Sequence, residues 1–163
     1  MTRLPSPALR LLVVTLLLAV AATPGYARLG ETLGKIKERF GSPQPQTHKD
    51  IYVWTFEAPE GGLLIYTVTF DAKGLSVAEG LKPFKRAVFS AEVAQNFIDY
   101  QLEPHRDSKT ARIVKPGEKY RYGGKDFVCG ENEYVVVDEA NTFLLVWSRA
   151  GIPSVIVVRP EMV

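Results

Sequence analysis

The clearest pattern in the chain is a pair of apolar runs at residues 51–56 and 63–70, separated by a loop that ends in two glycines. A five-residue loop between runs rich in β-branched and aromatic residues predicts a β-hairpin. Pairing Glu57 with Leu63 fixes the register of this hairpin. The pairing also determines which side chains share a face, because side chains alternate between faces along a strand.

One face of the predicted hairpin is aromatic, since Trp54 then lies opposite Tyr66. The other face is more easily wetted and carries Val53, Thr55, Ile65 and Thr67. An isolated hairpin is marginally stable in water, so the aromatic face needs a cover.

Two segments have the apolar period of an amphipathic helix. The first starts after Thr32, a typical N-cap residue, and stops at Gly41. Its apolar side chains fall on one face: Leu33, Ile36 and Phe40. A helix of about ten residues is unstable alone, so we expect it to dock on the aromatic face of the hairpin. The second helix begins at Ser90 and runs to about Leu102.

The second half of the chain predicts mainly strands. Residues 105–119 are polar and follow no regular period, and Gly123-Gly124 then joins two short strands in a tight hairpin. Three further apolar runs, at residues 134–137, 143–147 and 155–158, are separated by short loops. Spacings this short predict an antiparallel meander.

Consecutive residues of this meander are apolar, so both of its faces have to avoid water. We expect a register that pairs Val137 with Phe143 and Val135 with Leu145. The second helix covers one face, and the other needs the first hairpin's sheet, a symmetry mate or a partner protein. We therefore predict an exposed apolar patch whose candidate binding residues are Phe143, Leu145 and Trp147.

The predicted fold class is α+β, with an antiparallel sheet and two short helices. The element order also suggests tandem αβββ modules at residues 29–88 and 89–163, each with an H-x-D triplet after its helix. The alternative is a coincidental match between two ordinary α+β halves.

The first half also resembles a known family at its helix caps and strand cores: Leu29-Gly30, Thr32, Ile36, Phe40-Gly41, Pro43, Trp54-x-Phe56, Val68-x-Phe70 and Gly74. These positions are similar to the small αββ(β) modules of the BamE-like outer-membrane-assembly lipoproteins and of the β-lactamase-inhibitor-protein fold. The resemblance implies a periplasmic or secreted module whose sheet binds other proteins. It carries over no catalytic residue, and the chain has no cysteine positioned for lipid attachment.

Residues 1–27 have the pattern of a cleavable secretory signal peptide. The basic residues Arg3 and Arg10 lie before an apolar run at residues 11–22, which is too short to span a bilayer. Cleavage is expected after Ala27. The alternative is an uncleaved membrane anchor. The remaining mature domain, residues 28–163, has 18 basic and 18 acidic residues, so it lacks the basic charge typical of nucleic-acid binding.

Candidate chemistry is sparse. Cys129 and His105 are the components of a thiol nucleophile and its base, which makes a small thiol-dependent enzyme the alternative function. Cys129 follows apolar residues, however, as a core thiol does. His48 and His105 lie in polar linkers without metal-ligand spacing, and we expect no metal and no other cofactor.

Four basic residues form a candidate basic patch: Arg106, Lys109, Arg112 and Lys115. Such a patch docks an anionic partner, with a membrane surface as the less favoured choice, or it simply solubilises a loop. Taken together, the sequence predicts an exported, non-enzymatic binding module. Its expected partner is an unidentified envelope protein or a second copy of the chain.

Overall fold

The computed structural model describes residues 28–45, 48–84 and 87–163, so the predicted signal peptide lies outside the described residues. Within these ranges the chain forms two α-helices, nine strands and two short 3-10 helices. The elements are α1 Leu33–Phe40, β1 Ile51–Glu57, β2 Leu63–Phe70, β3 Ser76–Phe84, α2 Ala91–Leu102, a 3-10 helix at Glu103–His105, β4 Ala111–Val114, β5 Lys119–Tyr122, β6 Lys125–Val128, β7 Glu133–Asp138, β8 Leu144–Ser148, β9 Ser154–Val158 and a 3-10 helix at Pro160–Met162. The predicted α+β class is confirmed.

Seven strands form one antiparallel sheet in the order β1-β2-β3-β9-β8-β7-β4, and β5 and β6 form a separate two-stranded sheet. The two halves of the chain meet where β3 pairs with β9, with Gly80 opposite Ile156 and Leu81 opposite Val155. Both helices pack on the same side of this sheet, which we call the helix face. The opposite side is called the outward face.

The first hairpin, β1–β2, has the predicted register, with Glu57 opposite Leu63 and Trp54 opposite Tyr66. Burial alternates strictly along β2, because its even-numbered side chains face the helices and its odd-numbered ones face outward. The turn signal and the aromatic pairs were therefore sufficient to define this part of the sheet.

Helix α1 docks on the aromatic face of this hairpin, as predicted. The Thr32 side chain accepts a hydrogen bond from the Lys35 backbone N–H at 3.5 Å, and Gly41 ends the helix with a φ of +73°. The Phe40 ring lies 5.2 Å from the Phe56 ring and 5.5 Å from the Tyr66 ring, centroid to centroid.

Helix α2 joins the two halves into one core. Ser90 caps it by accepting a hydrogen bond from the Val93 backbone N–H at 3.3 Å. The buried side chains Phe97 and Ile98 belong to a cluster that also contains residues of the first hairpin and of β7, β8 and β9. The two halves therefore share a single hydrophobic layer beneath the helices.

The predicted register of β7 and β8 is wrong by one residue. Val137 lies opposite Leu144 and Val135 opposite Val146. A shift of one residue transfers every side chain of a strand to the other face. Phe143 and Leu145 therefore point to the helix face, where they are 1% and 0% exposed.

The outward face of the meander is covered by a part of the same chain that is not among the three covers predicted from the sequence. The β5–β6 hairpin, which we call the covering hairpin, turns at Gly123-Gly124 as predicted. Its inner side chains Tyr120 and Tyr122 and the adjacent Cys129 join a second cluster with side chains of the meander: Val114, Val135, Val137 and Leu144. The segment expected to be irregular, residues 105–119, also contains the edge strand β4.

Candidate binding surface

The covering hairpin protects only half of the outward face. Beyond it, the outward side chains of β1, β2, β3 and β9 form a surface that we call the open face. The register places the following side chains on it: Ile51, Val53, Thr55, Glu57, Leu63, Ile65, Thr67, Thr69, Lys82, Phe84 and Ile156.

Exposure and packing both show that this surface is uncovered by the described residues. Phe84 and Ile156 are each 42% exposed, and Ile51 is 38% exposed. Neither Val53 nor Ile65 belongs to the buried clusters or to the side chains packed against them. Apolar side chains thus remain in contact with water across four neighbouring strands.

Gly80 leaves room for the side chains beside it on the open face. One cross-strand row runs Val53, Thr67, Gly80, Ile156 across β1, β2, β3 and β9. A Cβ atom at Gly80 would lie 3.2 Å from Thr67 Oγ1 and 3.4 Å from Ile156 Cγ2, so the glycine lets its neighbours close over the backbone.

Lys82 supplies a positive charge on the open face. It lies opposite Ile65 and takes part in none of the ion pairs formed among the described residues. The free edge beside the face is partly closed, since the Gln44 backbone N–H donates to the Val53 carbonyl at 2.8 Å. A partner would therefore meet apolar and threonine side chains, with Lys82 on β3 and Glu57 at the end of β1 as the charged groups.

The apolar patch predicted from the sequence lies on the wrong side of the sheet. Phe143 and Leu145 are buried beneath the helices, so the prediction that they are exposed is wrong, and the cause is the register shift described above. Trp147 is half-buried, with the Arg149 guanidinium 5.1 Å from its ring centroid. The open face was visible in the sequence only as the polar-apolar alternation of the first hairpin.

The proposed thiol and imidazole do not meet. Cys129 is 1% exposed in the outward cluster, where its thiol lies 3.7 Å from the Val114 carbonyl and burial raises its pKa. The His105 ring packs 4.3 Å from Phe143 on the helix face, and burial lowers its pKa against the opposing effect of Asp138. Because the sheet lies between them, they cannot act as a nucleophile and its base.

The structure brings two members of the predicted basic patch to one groove. Arg106 and Arg112 both line this groove, which lies beside His105. Arg112 points outward, where it donates hydrogen bonds to Glu139 at 2.8 Å and Glu118 at 2.6 Å. Lys109 and Lys115 are exposed. Two carboxylates therefore offset the charge of Arg112.

In the ranges that the structure describes, no three His, Cys, Asp or Glu side chains lie close enough to hold a metal ion. In the same ranges, no helix has the length and apolar character needed to cross a membrane.

No family model matches the chain, and neither a curated protein nor a solved structure is detectably similar to it. The resemblance of the first half to BamE-like modules therefore stays a prediction.

Proposed function

We propose that the protein is an exported, non-enzymatic binding module that engages another protein of the cell envelope through its open face. The observation that carries the proposal is the contrast between the two halves of the outward face. One half is closed by the covering hairpin, and the other exposes Ile51, Phe84 and Ile156 to water. Several large apolar side chains exposed on one side of a sheet are a feature of interaction sites.

The chemistry of the face favours a different protein over a second copy. Lys82 projects among apolar side chains and lacks an ion-pair partner among the described residues. Two open faces packed against each other would bring two lysines into one apolar interface, where each charge loses its hydration. A partner with an apolar surface and a carboxylate opposite Lys82 avoids this cost.

Site-specific photo-crosslinking tests the proposal in the cells that produce the protein. Ile65 is replaced by benzoylphenylalanine, a photoreactive residue. The matched control carries the same residue at Lys37, which is exposed on α1 on the other side of the sheet. A defined crosslinked protein from position 65 that is absent from position 37 supports the proposal, provided that Lys82→Glu abolishes it.

Three results contradict the proposal. They are no product from position 65, the same product from position 37, or a product with twice the mass of the chain. The last result would replace the envelope partner with self-association.

Export is tested separately. We expect mass spectrometry of the protein recovered from the periplasm or medium to find Arg28 as its first residue, because Gly25 and Ala27 are small residues at the positions that a signal peptidase reads. Intact Met1 in a membrane fraction would contradict export with cleavage.

A further inference from the structure

Arg28, the residue expected to begin the mature protein, is bound to the fold at both its backbone and its side chain. Its backbone N–H donates to Glu31 Oε2 at 3.3 Å, and its carbonyl accepts from Ser76 Oγ at 3.0 Å. Its guanidinium lies 4.7 Å from the Tyr100 ring centroid and pairs with Glu103. The start of the mature chain is therefore attached to β3 and to the carboxyl end of α2.

The carboxylate that faces the Arg28 nitrogen is held in place. Glu31 also pairs with Arg39, and its side chain is 20% exposed. Arg39 in turn donates to the Tyr100 hydroxyl at 2.5 Å. One network thus connects the start of the mature chain, α1 and α2.

We propose that the α-amino group released by cleavage after Ala27 is a structural part of the mature protein and pairs with Glu31. The inference rests on the export and cleavage in the proposed function. A signal peptidase adds water across the Ala27–Arg28 peptide bond, so Ala27 leaves with a new carboxylate and Arg28 keeps the nitrogen. At neutral pH that nitrogen takes up a proton and becomes an ammonium group.

Cleavage therefore changes a neutral donor into a cation at the same position. The hydrogen bond to Glu31 becomes charge-assisted on both sides, which strengthens it. The new positive charge is repelled by Arg39 and by Arg159, whose Nη2 atom lies beside Gly30. It is attracted by the carboxylates of Glu31 and Glu103. Hydrolysis of this peptide bond completes the network, and the precursor is the less stable form.

The test compares purified chains with defined first residues. One chain begins at Arg28 with a free amine, released from a fusion protein that is cut directly before this residue. The other begins at Gly25 and so keeps three more native residues. Each is made with Glu31 and with Glu31→Gln, and urea unfolding is followed at pH 7 and low salt.

The unfolding constant should be about threefold larger for the chain that begins at Gly25, the size expected for a partly exposed ion pair. This difference should disappear in the Glu31→Gln pair, because the neutral amide cannot pair with the ammonium. Acetylating Arg28 removes the charge without adding residues, and it should reproduce the weaker form.

Equal stability of the two Glu31 chains would overturn the inference. The inference would also be overturned if, in the Glu31→Gln pair, the chain that begins at Arg28 were still the more stable one. That difference would reflect only the removal of three extra residues. If Glu31→Gln does not fold, the acetylated chain decides the question alone. All of these chains are made outside the export pathway and are tested without a partner, so the result does not depend on whether the open face binds another protein. Cleavage at a different bond in cells would be detected separately, by the mass spectrometry described above.

Discussion

Replacing Glu79 with glutamine tests whether the core beneath α2 contains a titrating carboxyl group. Glu79 is 2% exposed, and its Oε2 accepts hydrogen bonds from the Tyr66 hydroxyl at 2.8 Å and Gln101 Nε2 at 2.6 Å. Its Oε1 has no hydrogen-bond partner among the described residues. Burial raises the pKa of this carboxyl, although the hydrogen bonds from Gln101 and Tyr66 oppose the effect.

The sign of the pH dependence follows from the raised pKa. Above about pH 4.3, the ordinary pKa of a glutamate, the unfolded chain loses a proton that the folded protein still holds. The stabilisation from this proton is complete below that pH and is lost as the pH rises through the pKa of Glu79 in the folded protein. For one proton, the free energy of unfolding falls by up to about 1.4 kcal/mol per pH unit in this window.

Glu79→Gln keeps the size of the side chain but cannot titrate. We therefore expect the difference in free energy of unfolding, variant minus wild type, to become more positive as the pH rises through the window. Burial opposes ionisation of Asp138, but hydrogen bonds from Thr110 and Thr142 outweigh it and lower the pKa of this carboxyl. Its contribution to stability is therefore present above the ordinary pKa of an aspartate and is lost only as the pH falls below it, at the acid end of the range. That contribution is present in both proteins and cancels in the difference.

Urea unfolding at half-unit steps from pH 4 to 8, followed by tryptophan fluorescence, measures this difference. The control is Glu38→Gln, at an exposed position of α1. Its curve should stay parallel to that of the wild type. A constant difference between Glu79→Gln and the wild type over the whole range would refute the reasoning, as would a carbon NMR titration in which the Glu79 carboxyl follows an exposed glutamate.

Three further substitutions or reactions test the packing. Phe40→Ala should lower the free energy of unfolding by about 2 to 3 kcal/mol. This is less than for a fully buried aromatic residue, because Phe40 is half-buried. A loss under about 1 kcal/mol in urea unfolding would contradict the docking of α1. Tyr122→Phe should cost about 0.5 to 1.5 kcal/mol, since the buried hydroxyl donates to the Val158 carbonyl at 2.7 Å, and an unchanged urea midpoint would mean that this bond contributes nothing. Cys129 should react with a thiol reagent only as fast as the protein opens, and rapid labelling of the native protein would show that the covering hairpin does not shield it.

The register of the first hairpin was predictable because its pattern alternates. Phe56, Trp54 and Tyr52 alternate with smaller or polar residues, and the Gly61-Gly62 turn restricts the possible pairings. In β7 and β8 consecutive residues are apolar, so either register buries a similar set of side chains. The pattern therefore contains too little information to choose between them.

Polar contacts accompany the observed register in the folded protein. The Asp138 backbone N–H donates to the Phe143 carbonyl at 3.1 Å, and the Asp138 carboxylate accepts hydrogen bonds from the Thr110 and Thr142 hydroxyls. Thr110 is distant in sequence and directly precedes β4, a strand of four residues that the sequence argument treated as irregular. A contact that depends on an unrecognised strand was not accessible to sequence reasoning.

The covering hairpin explains why the open face lies where it does. The cross-strand row that contains Val53, Thr67, Gly80 and Ile156 continues to Val146 of β8. Val146 packs against the cluster beneath the covering hairpin, whereas Ile156 is 42% exposed. Val158, the outward neighbour of Ile156 on β9, also packs against this cluster. The boundary between covered and open surface therefore crosses β9, between Val158 and Ile156. Since stacked layers pack about 10 Å apart, a partner on the open face would extend the layer that the covering hairpin begins, and side chains at this boundary would contact both.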